Sequence, residues 1–269
     1  MFNYILLGLI QGVAEFLPIS SSAHLFLLHK FLSVPQDISL DILLHLATVL
    51  VIIFFYNKEI IKLFYSFYKD FKKNFFHLSR YSYDSKYAFY LFVSTIPAGI
   101  LGYISKDILK KYRSVPTIVF MLLTVSLYML YIQIYKFSSN GNFNKTTKIN
   151  FNKALLIGIS QMFALIPGSS RSGLTIGTAK LLNVTNNKSI EFSFLSAVPL
   201  IFGAFLVSLK DVQNFDYFLN VPILVSFFTA FFVGLITIKA FLSFFNKYGF
   251  KYFILYRILL AGILLFLLF

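Results

Sequence analysis

A short stretch near the N-terminus of the sequence carries a carboxylate, three hydroxyls and an imidazole. Gln11 and Glu15 are four residues apart and therefore share one face of a helix. Because a carboxylate in an apolar segment is costly, we expect Glu15 to face a cavity, a metal ion or a cationic partner. The alternative for both residues is an interhelical hydrogen bond that holds the bundle together. The hydroxyls and the imidazole follow at Ser20, Ser21, Ser22 and His24.

The same stretch predicts an anion site at a helix N-terminus. Pro18 ends the first helix, and the serine run caps the next one. Free backbone N–H groups and the helix dipole favour an anion at such an end. A serine there could act as a nucleophile, and His24 in the first turn could deprotonate it or protonate a leaving phosphate. The structural alternative makes the serines N-caps and bonds His24 to a carbonyl.

A second cluster of the same character lies in the C-terminal half. Pro167 and Gly168 interrupt an apolar segment, and a new helix is predicted to start directly after them. Gly168 permits close approach of the backbone, and Arg171 offers a planar fork of donors suited to phosphate. An arginine at membrane depth is a functional candidate, and a salt bridge to Glu15 is the alternative. The accompanying hydroxyls are Ser169, Ser170 and Ser172.

Together the two clusters predict a site for a multiply anionic group. Two positive helix ends, Arg171 and several hydroxyls converge, while Glu15 supplies one fixed negative charge as a base or metal ligand. A diphosphate with a divalent cation fits this set, whereas a carboxylate would need less positive field. Asp41 and His45 share a face of the third apolar segment, and either reach this site or make structural hydrogen bonds.

The composition indicates that membrane helices position these groups. Hydrophobic residues make up 58% of the 269 residues and charged residues 13%, with a mean hydropathy of +0.78. The formal charge is +14, but the basic residues lie between apolar spans, which indicates membrane topology and anionic lipids rather than nucleic acid. The absence of cysteine excludes disulfides and thiolate metal sites.

The sequence predicts an all-α polytopic membrane protein that forms one domain over residues 1–269. Six segments are long enough to span, and four shorter apolar segments form two interrupted pairs, each read as a re-entrant hairpin or a kinked span. The run 54–92 is expected to be an interfacial loop with aromatic anchors. The spans are 40–56, 87–104, 116–135, 190–208, 221–243 and 252–269, and the pairs are 3–17 with 22–32 and 153–166 with 171–182.

The two interrupted pairs indicate an internal duplication. Leu7-Gly8-Leu9-x-Gln11 recurs as Ile157-Gly158-Ile159-x-Gln161, and each copy is followed by a proline and a serine cluster. We predict an inverted-topology repeat, with halves of roughly 1–115 and 116–269, that brings the two broken helices together near the bilayer midplane. Chance similarity between apolar helices is the alternative.

The distribution of lysine and arginine predicts the orientation. With both interruptions read as re-entrant, one face carries six of these residues and the other 17, the latter count including Arg257 as a flanking helix end. The basic face is predicted to be cytoplasmic, so the first hairpin enters from outside and the second from inside.

The two motifs resemble the undecaprenyl-diphosphatase family of bacterial membrane enzymes, also known as bacitracin-resistance proteins. The resemblance rests on Gln11-x-x-x-Glu15 followed by Phe-Leu-Pro-Ile-Ser-Ser-Ser-x-His24, and on Pro167-Gly-Ser-Ser-Arg171-Ser-Gly; it runs along the whole chain. It implies hydrolysis of undecaprenyl diphosphate to the monophosphate carrier of peptidoglycan synthesis. It further implies bacitracin resistance, a Mg or Ca cofactor, the bacterial inner membrane and a site opening toward the periplasm; a homodimer is left open.

The resemblance also implies roles for individual residues. Ser21 is the favoured nucleophile, His24 its acid–base partner, Arg171 the phosphate clamp and Glu15 a base or metal ligand. Gln11 stands where many members have glutamate, which makes Glu15 the better candidate for the metal. Substrate-binding roles fall to Gln11, Ser20, Ser22, Gly168, Ser169, Ser170 and Ser172.

Two functions compete with hydrolysis. A transporter or flippase of an anionic polyprenyl lipid would use the same inverted, interrupted helices, and a lipid-binding scaffold would need no chemistry at all. A transporter requires Arg171 and the helix ends but not a Ser–His–Glu set around them, so the residue inventory favours a phosphohydrolase.

Overall fold

The computed structural model of the protein describes residues 1–32, 34, 38–75, 77–138, 145–209 and 219–266. Within these ranges the chain is helical and contains no strand, which confirms the predicted all-α class. The helices are α1 (Phe2–Ala14), α2 (Ser21–Phe31), α3 (Ile38–Phe55), α4 (Asn57–Asn74), α5 (Tyr83–Ile104), α6 (Lys106–Lys111), α7 (Val115–Ser138), α8 (Phe151–Phe163), α9 (Arg171–Leu181), α10 (Asn186–Ser208), α11 (Val221–Tyr248) and α12 (Lys251–Phe266).

Two helix interruptions lie where the proline and serine clusters predict them. The first separates α1 from α2, and the second separates α8 from α9. In each, a serine at positive φ caps the new helix: Ser20 accepts a hydrogen bond from the Ala23 N–H, and Ser170 from the Gly173 N–H. Both α2 and α9 therefore start with a serine N-cap at positive φ.

Four of the six predicted spans are helices long and apolar enough to cross a membrane, namely α5, α7, α10 and α11. The predicted span 40–56 forms α3, which meets that criterion only together with α4, from which it is bent by 78°. The predicted span 252–269 forms α12, whose described part has 16 residues and falls short; residues 267–269 lie outside the described chain.

Helix packing relates the two halves of the chain. Helix α1 packs against α11 and α8 against α5, while α3 packs against α10 and α7 against α12. The approach is close in both copies: a Cβ on Gly8 would lie 2.2 Å from the Ser226 carbonyl oxygen, and one on Gly158 2.4 Å from that of Ser94. These contacts are symmetric if α1 is equivalent to α8, α2 to α9, α3 to α10, α5 to α11 and α7 to α12.

The predicted interfacial loop in 54–92 is wrong, because most of it is helical. Residues Asn57–Asn74 form α4, and α5 begins at Tyr83. The lysines of this segment recur at helical spacing, so a helix places charge on one side and aromatic rings on another. This amphipathic pattern favours a helix over the predicted loop. Asp70 accepts hydrogen bonds from the Ser82 N–H and the Ser85 hydroxyl, which ties the end of α4 to the start of α5.

Candidate active site

The carboxylate of Glu15 connects the two interruptions. Its Oε2 accepts hydrogen bonds from the Ser21 hydroxyl at 2.8 Å and from the Gln11 amide at 3.1 Å. Its Oε1 accepts from Arg171 Nη2 at 3.1 Å, and His45 Nε2 lies 3.4 Å from Oε2. Glu15 is buried, with 5% of its surface exposed. The sequence analysis gave a functional role and a salt bridge to Glu15 as alternatives for Arg171. The structure shows the salt bridge, and it lies within the predicted anion site, so the two alternatives are compatible.

Arg171 is held so that one of its donors remains available. Nη1 donates to the Ser193 carbonyl at 2.8 Å, and Nη2 is bonded to Glu15. The Nε–H is buried and has no hydrogen-bond partner among the described residues. A buried donor without a partner is costly, so a bound anionic oxygen would relieve it.

The predicted nucleophile Ser21 and the predicted substrate-binding serines divide into two groups by burial. Ser21 and Ser22 are half-buried at the start of α2, where they can meet a ligand. The others are buried, and their hydroxyls mainly hold the interruptions together: Ser20 and Ser170 are N-caps, Ser169 donates to the Ile166 carbonyl, and Ser172 donates to the Leu17 carbonyl. The Ser172 bond joins α9 directly to the first interruption.

Gly168 is required by packing at the second interruption. Its φ is +96°, in the region that favours glycine, and a Cβ there would lie 2.7 Å from the Ile118 carbonyl oxygen. The close approach predicted from the sequence is therefore an approach to α7.

His24 is buried and bonded away from Ser21. Its Nδ1 lies 2.7 Å from the Ser20 carbonyl oxygen, so Nδ1 carries the proton and donates. Its Nε2 lies 2.6 Å from the Tyr256 hydroxyl, and the two rings are stacked at 5.7 Å. Among the described residues Glu15, not His24, is the acceptor for the Ser21 hydroxyl. The structural alternative for His24, a bond to a carbonyl, is what the geometry shows.

Arg257 is a site residue that the sequence reasoning placed wrongly, at the basic face. It is fully buried on α12 and contacts both interruptions, donating to the Pro18 carbonyl at 3.5 Å and the Gly168 carbonyl at 3.0 Å. It also donates to Ser126 and to the carbonyls of Met121 and Leu122 on α7. Among the described residues no carboxylate pairs with it. Its position inside the apolar run 252–269 was the signal that could have identified it.

His45 reaches the site, whereas Asp41 does not. His45 Nδ1 lies 2.6 Å from the Asp41 backbone oxygen and so donates to it, which turns Nε2 toward Glu15. The Asp41 carboxylate instead pairs with His29 at 3.0 Å and with Arg113 at 3.3 Å. The sequence left open whether these two residues reach the site or make structural hydrogen bonds. In the structure His45 lies at the site, and Asp41 makes contacts outside it.

A divalent cation would find an incomplete set of ligands here. No group of three His, Cys, Asp or Glu side chains within the described ranges could hold a metal ion. However, Gln11 Oε1 is buried and has no hydrogen-bond partner among the described residues, and its side chain lies beside the Glu15 carboxylate, so the two residues could supply one oxygen each to a cation. Magnesium commonly binds through one or two protein oxygens and completes its shell with phosphate and water. The residues fit such an ion, but not an all-protein cage.

Known proteins resemble this chain along its whole length. The sequence model of the family described as Bacitracin resistance protein BacA matches residues 4–263. The undecaprenyl-diphosphatase of Elusimicrobium minutum is 34% identical over 265 residues, covering 98% of this chain and 96% of that protein. Proteins of the same name from Ruthia magnifica and Caldicellulosiruptor bescii are 34% and 35% identical; they match 99% and 98% of this chain over 98% and 96% of their own lengths.

Proposed function

The chain belongs to the bacitracin resistance protein BacA family, and we propose that it hydrolyses undecaprenyl diphosphate to undecaprenyl phosphate and inorganic phosphate. One observation supports locating this reaction at Glu15. Glu15 accepts hydrogen bonds from Ser21 and from Arg171, which begin two different helices and stand at the ends of two interruptions. A base, a hydroxyl and a guanidinium thus meet where two helix N-termini present free N–H groups.

Ser21 is the nucleophile in the proposed first step. Its oxygen attacks the terminal phosphorus while its proton passes to Glu15 Oε2, to which the hydroxyl already donates. The bond between that phosphorus and the bridging oxygen breaks, and undecaprenyl phosphate leaves. The products of this step are a phosphoserine at Ser21 and a protonated Glu15.

Water completes the reaction in the second step. A water molecule attacks the phosphoserine, and Glu15 returns its proton to the departing Ser21 oxygen. Both hydrogens of the water remain on the released phosphate, so the enzyme regains its starting state. The short path between Ser21 and Glu15 therefore serves the proton transfer in both directions.

Positive groups stabilise the charge that develops on the transferred phosphoryl group. The Nε–H of Arg171, which has no partner among the described residues, and the first N–H groups of α2 and α9 would donate to its oxygens. Arg257 adds a buried positive charge behind both interruptions without needing to touch the lipid. When bound, a divalent cation held by Glu15 and Gln11 would neutralise further phosphate charge.

The proposed topology places the site in the bacterial inner membrane, open to the periplasm. Helix α1, with 13 residues, is about 20 Å long and cannot cross a hydrocarbon core of about 30 Å. We therefore treat α1–α2 and α8–α9 as re-entrant hairpins from opposite faces. In this topology α3, α5, α7, α10, α11 and α12 are the six crossing helices, and the packing of the two halves supports it.

Phosphate release by the purified protein tests the function. With undecaprenyl or farnesyl diphosphate as substrate, the wild type should release phosphate, and EDTA should suppress the release. Ser21→Ala should abolish it, whereas Ser208→Ala, which removes a hydroxyl bonded only to the Phe205 carbonyl, should not. Movement of intact lipid across a vesicle without phosphate release would instead indicate a transporter. Retained hydrolysis by Ser21→Ala would show that an activated water is the nucleophile.

A further inference from the structure

Helix α4 presents three distinct faces. With 3.6 residues per turn, its five lysines, Lys58, Lys62, Lys69, Lys72 and Lys73, fall within an arc of about 100°. Beside them lies an exposed apolar face formed by Ile61, Phe64, Tyr68 and Phe71. The third face carries Leu63, the buried residue of α4, and packs on α5. A lysine stripe bordered by exposed rings is the pattern of a helix that lies in a membrane interface.

The geometry of α4 excludes a transmembrane position. The helix is bent by 78° from α3, so it runs across the direction of a neighbouring apolar helix. Crossing the bilayer would also bury five lysines, each at a cost of about 2.5–3.5 kcal/mol on insertion scales. Helix α4 therefore lies along one membrane surface, with Phe64 and Phe71 toward the acyl chains and its lysines toward the headgroups.

The lysine face has little compensating charge on the protein. Lys62 pairs with Asp84 at 3.0 Å and lies 3.8 Å from Glu59. Lys69, Lys72 and Lys73 are exposed and make no ion pair with any described residue. Together with Tyr65 and Tyr68 they line a cavity of about 230 Å³. This end of the helix is thus a positively charged pocket with an aromatic wall, in which Lys69 interacts with the neighbouring Asp70 and neither Lys72 nor Lys73 has an ion pair among the described residues.

We infer that this surface, formed by Lys69, Lys72, Lys73, Tyr65 and Tyr68, binds the phosphate headgroups of anionic bilayer phospholipids. Each lysine near a membrane surface concentrates an anionic lipid by about fivefold relative to a neutral one. The aromatic residues sit at headgroup depth, where their rings are stable and their hydroxyls remain hydrated. This surface is separate from the proposed active site, so its occupancy does not depend on hydrolysis.

Lipid retention measured by native mass spectrometry tests the inference. The full-length protein is exchanged into nanodiscs of equal parts phosphatidylglycerol and phosphatidylcholine, then released and its bound lipids counted. We expect the wild type to retain phosphatidylglycerol preferentially and K69Q/K72Q/K73Q to lower that preference by about threefold or more. The matched control is K145Q/K148Q/K251Q, which removes the same charge from exposed lysines outside α4 and should lower the preference by a clearly smaller factor, because these lysines do not line one common pocket.

Three results would overturn the inference. The first is an equal loss of preference in both triple variants, which would mean that total charge alone attracts the lipid. The second is displacement of phosphatidylglycerol from the wild type by equimolar undecaprenyl phosphate, which would assign the surface to the product lipid. The third is a wild-type preference that survives 1 M salt, where the Debye length is about 3 Å and headgroup attraction to exposed lysines should be screened. The salt series uses only wild-type protein and so does not depend on the folding of a variant.

Discussion

Ser20 and Ser170 adopt the same strained backbone conformation at the two ends of the proposed active site, with φ of 75° and 77°. Each accepts a hydrogen bond from the N–H three residues later and is followed by a residue that contacts Glu15. The following residue is Ser21 in one copy and Arg171 in the other. The two similar loops thus supply a hydroxyl on one side and a guanidinium on the other, and a single carboxylate joins them.

This backbone conformation predicts an unusual order of stability for variants of Ser170. Ser170→Ala loses the cap and keeps the strain, which should cost about 1 kcal/mol or more. Ser170→Gly also loses the cap, but glycine adopts positive φ freely, so it should be less destabilising than alanine. Thermal unfolding in detergent measures the order. An alanine variant as stable as the glycine variant would show that φ at this position imposes no strain.

Replacing the central carboxylate should remove catalysis while the fold survives. Glu15→Gln keeps the size of the side chain but cannot take the Ser21 proton, so hydrolysis should fall by about 100-fold or more. The loss of negative charge also frees Arg171, so the affinity for inorganic phosphate should rise. Steady-state hydrolysis and phosphate binding measure the two effects. Glu59→Gln on α4 is the matched control, and an equal loss in both variants would argue against a special role for Glu15.

Arg257 should act as a positioning residue. Arg257→Lys keeps a positive charge but loses the fork that reaches both Pro18 and Gly168, so the two interruptions lose their common donor. Since misplacement of reacting groups by about 1 Å can cost about 100-fold in rate, we expect a large fall in kcat with little change in KM. A rise in KM at unchanged kcat would instead place Arg257 in substrate binding.

The close contact of α1 with α11 predicts opposite effects of two Gly→Ala substitutions. At Gly8 the new Cβ would lie 2.2 Å from the Ser226 carbonyl oxygen, so Gly8→Ala should destabilise the protein by about 1–3 kcal/mol. At Gly203 in α10 no atom lies within 4 Å of the new Cβ, and Gly203→Ala should be neutral or slightly stabilising. Chemical unfolding of both variants in the same detergent provides the comparison, and equal behaviour would contradict the packing of α1.

The sequence predicted those parts of the site that lie within one continuous motif. Glu15, Ser21 and Arg171 were proposed because helix breakers and polar residues cluster around them in apolar segments, and the structure brings the three together. Arg257 and Tyr256 were missed, since their hydrogen-bond partners lie 89 to 239 residues away in sequence and no motif indicates those partners. Helix α4 was missed for another reason: the aromatic composition of its segment was weighed more heavily than the helical spacing of its lysines. Long-range contacts are therefore visible only in the folded structure, whereas the helical spacing of the lysines in α4 is already present in the sequence.

Gln11→Glu should reveal whether a divalent cation binds beside Glu15. In the wild type the Gln11 amide donates to Glu15, and its Oε1 is buried without a partner. A glutamate at this position would place two carboxylates on one helix face, where they repel each other unless a cation lies between them. We expect the variant to bind Mg²⁺ about 10-fold more tightly, because the charge of the ligands tunes affinity for such ions. Its melting temperature should fall in EDTA and recover with Mg²⁺, a readout that does not depend on hydrolysis. If neither the melting temperature nor the half-activating Mg²⁺ concentration differs from that of the wild type, the cation binds only to the diphosphate.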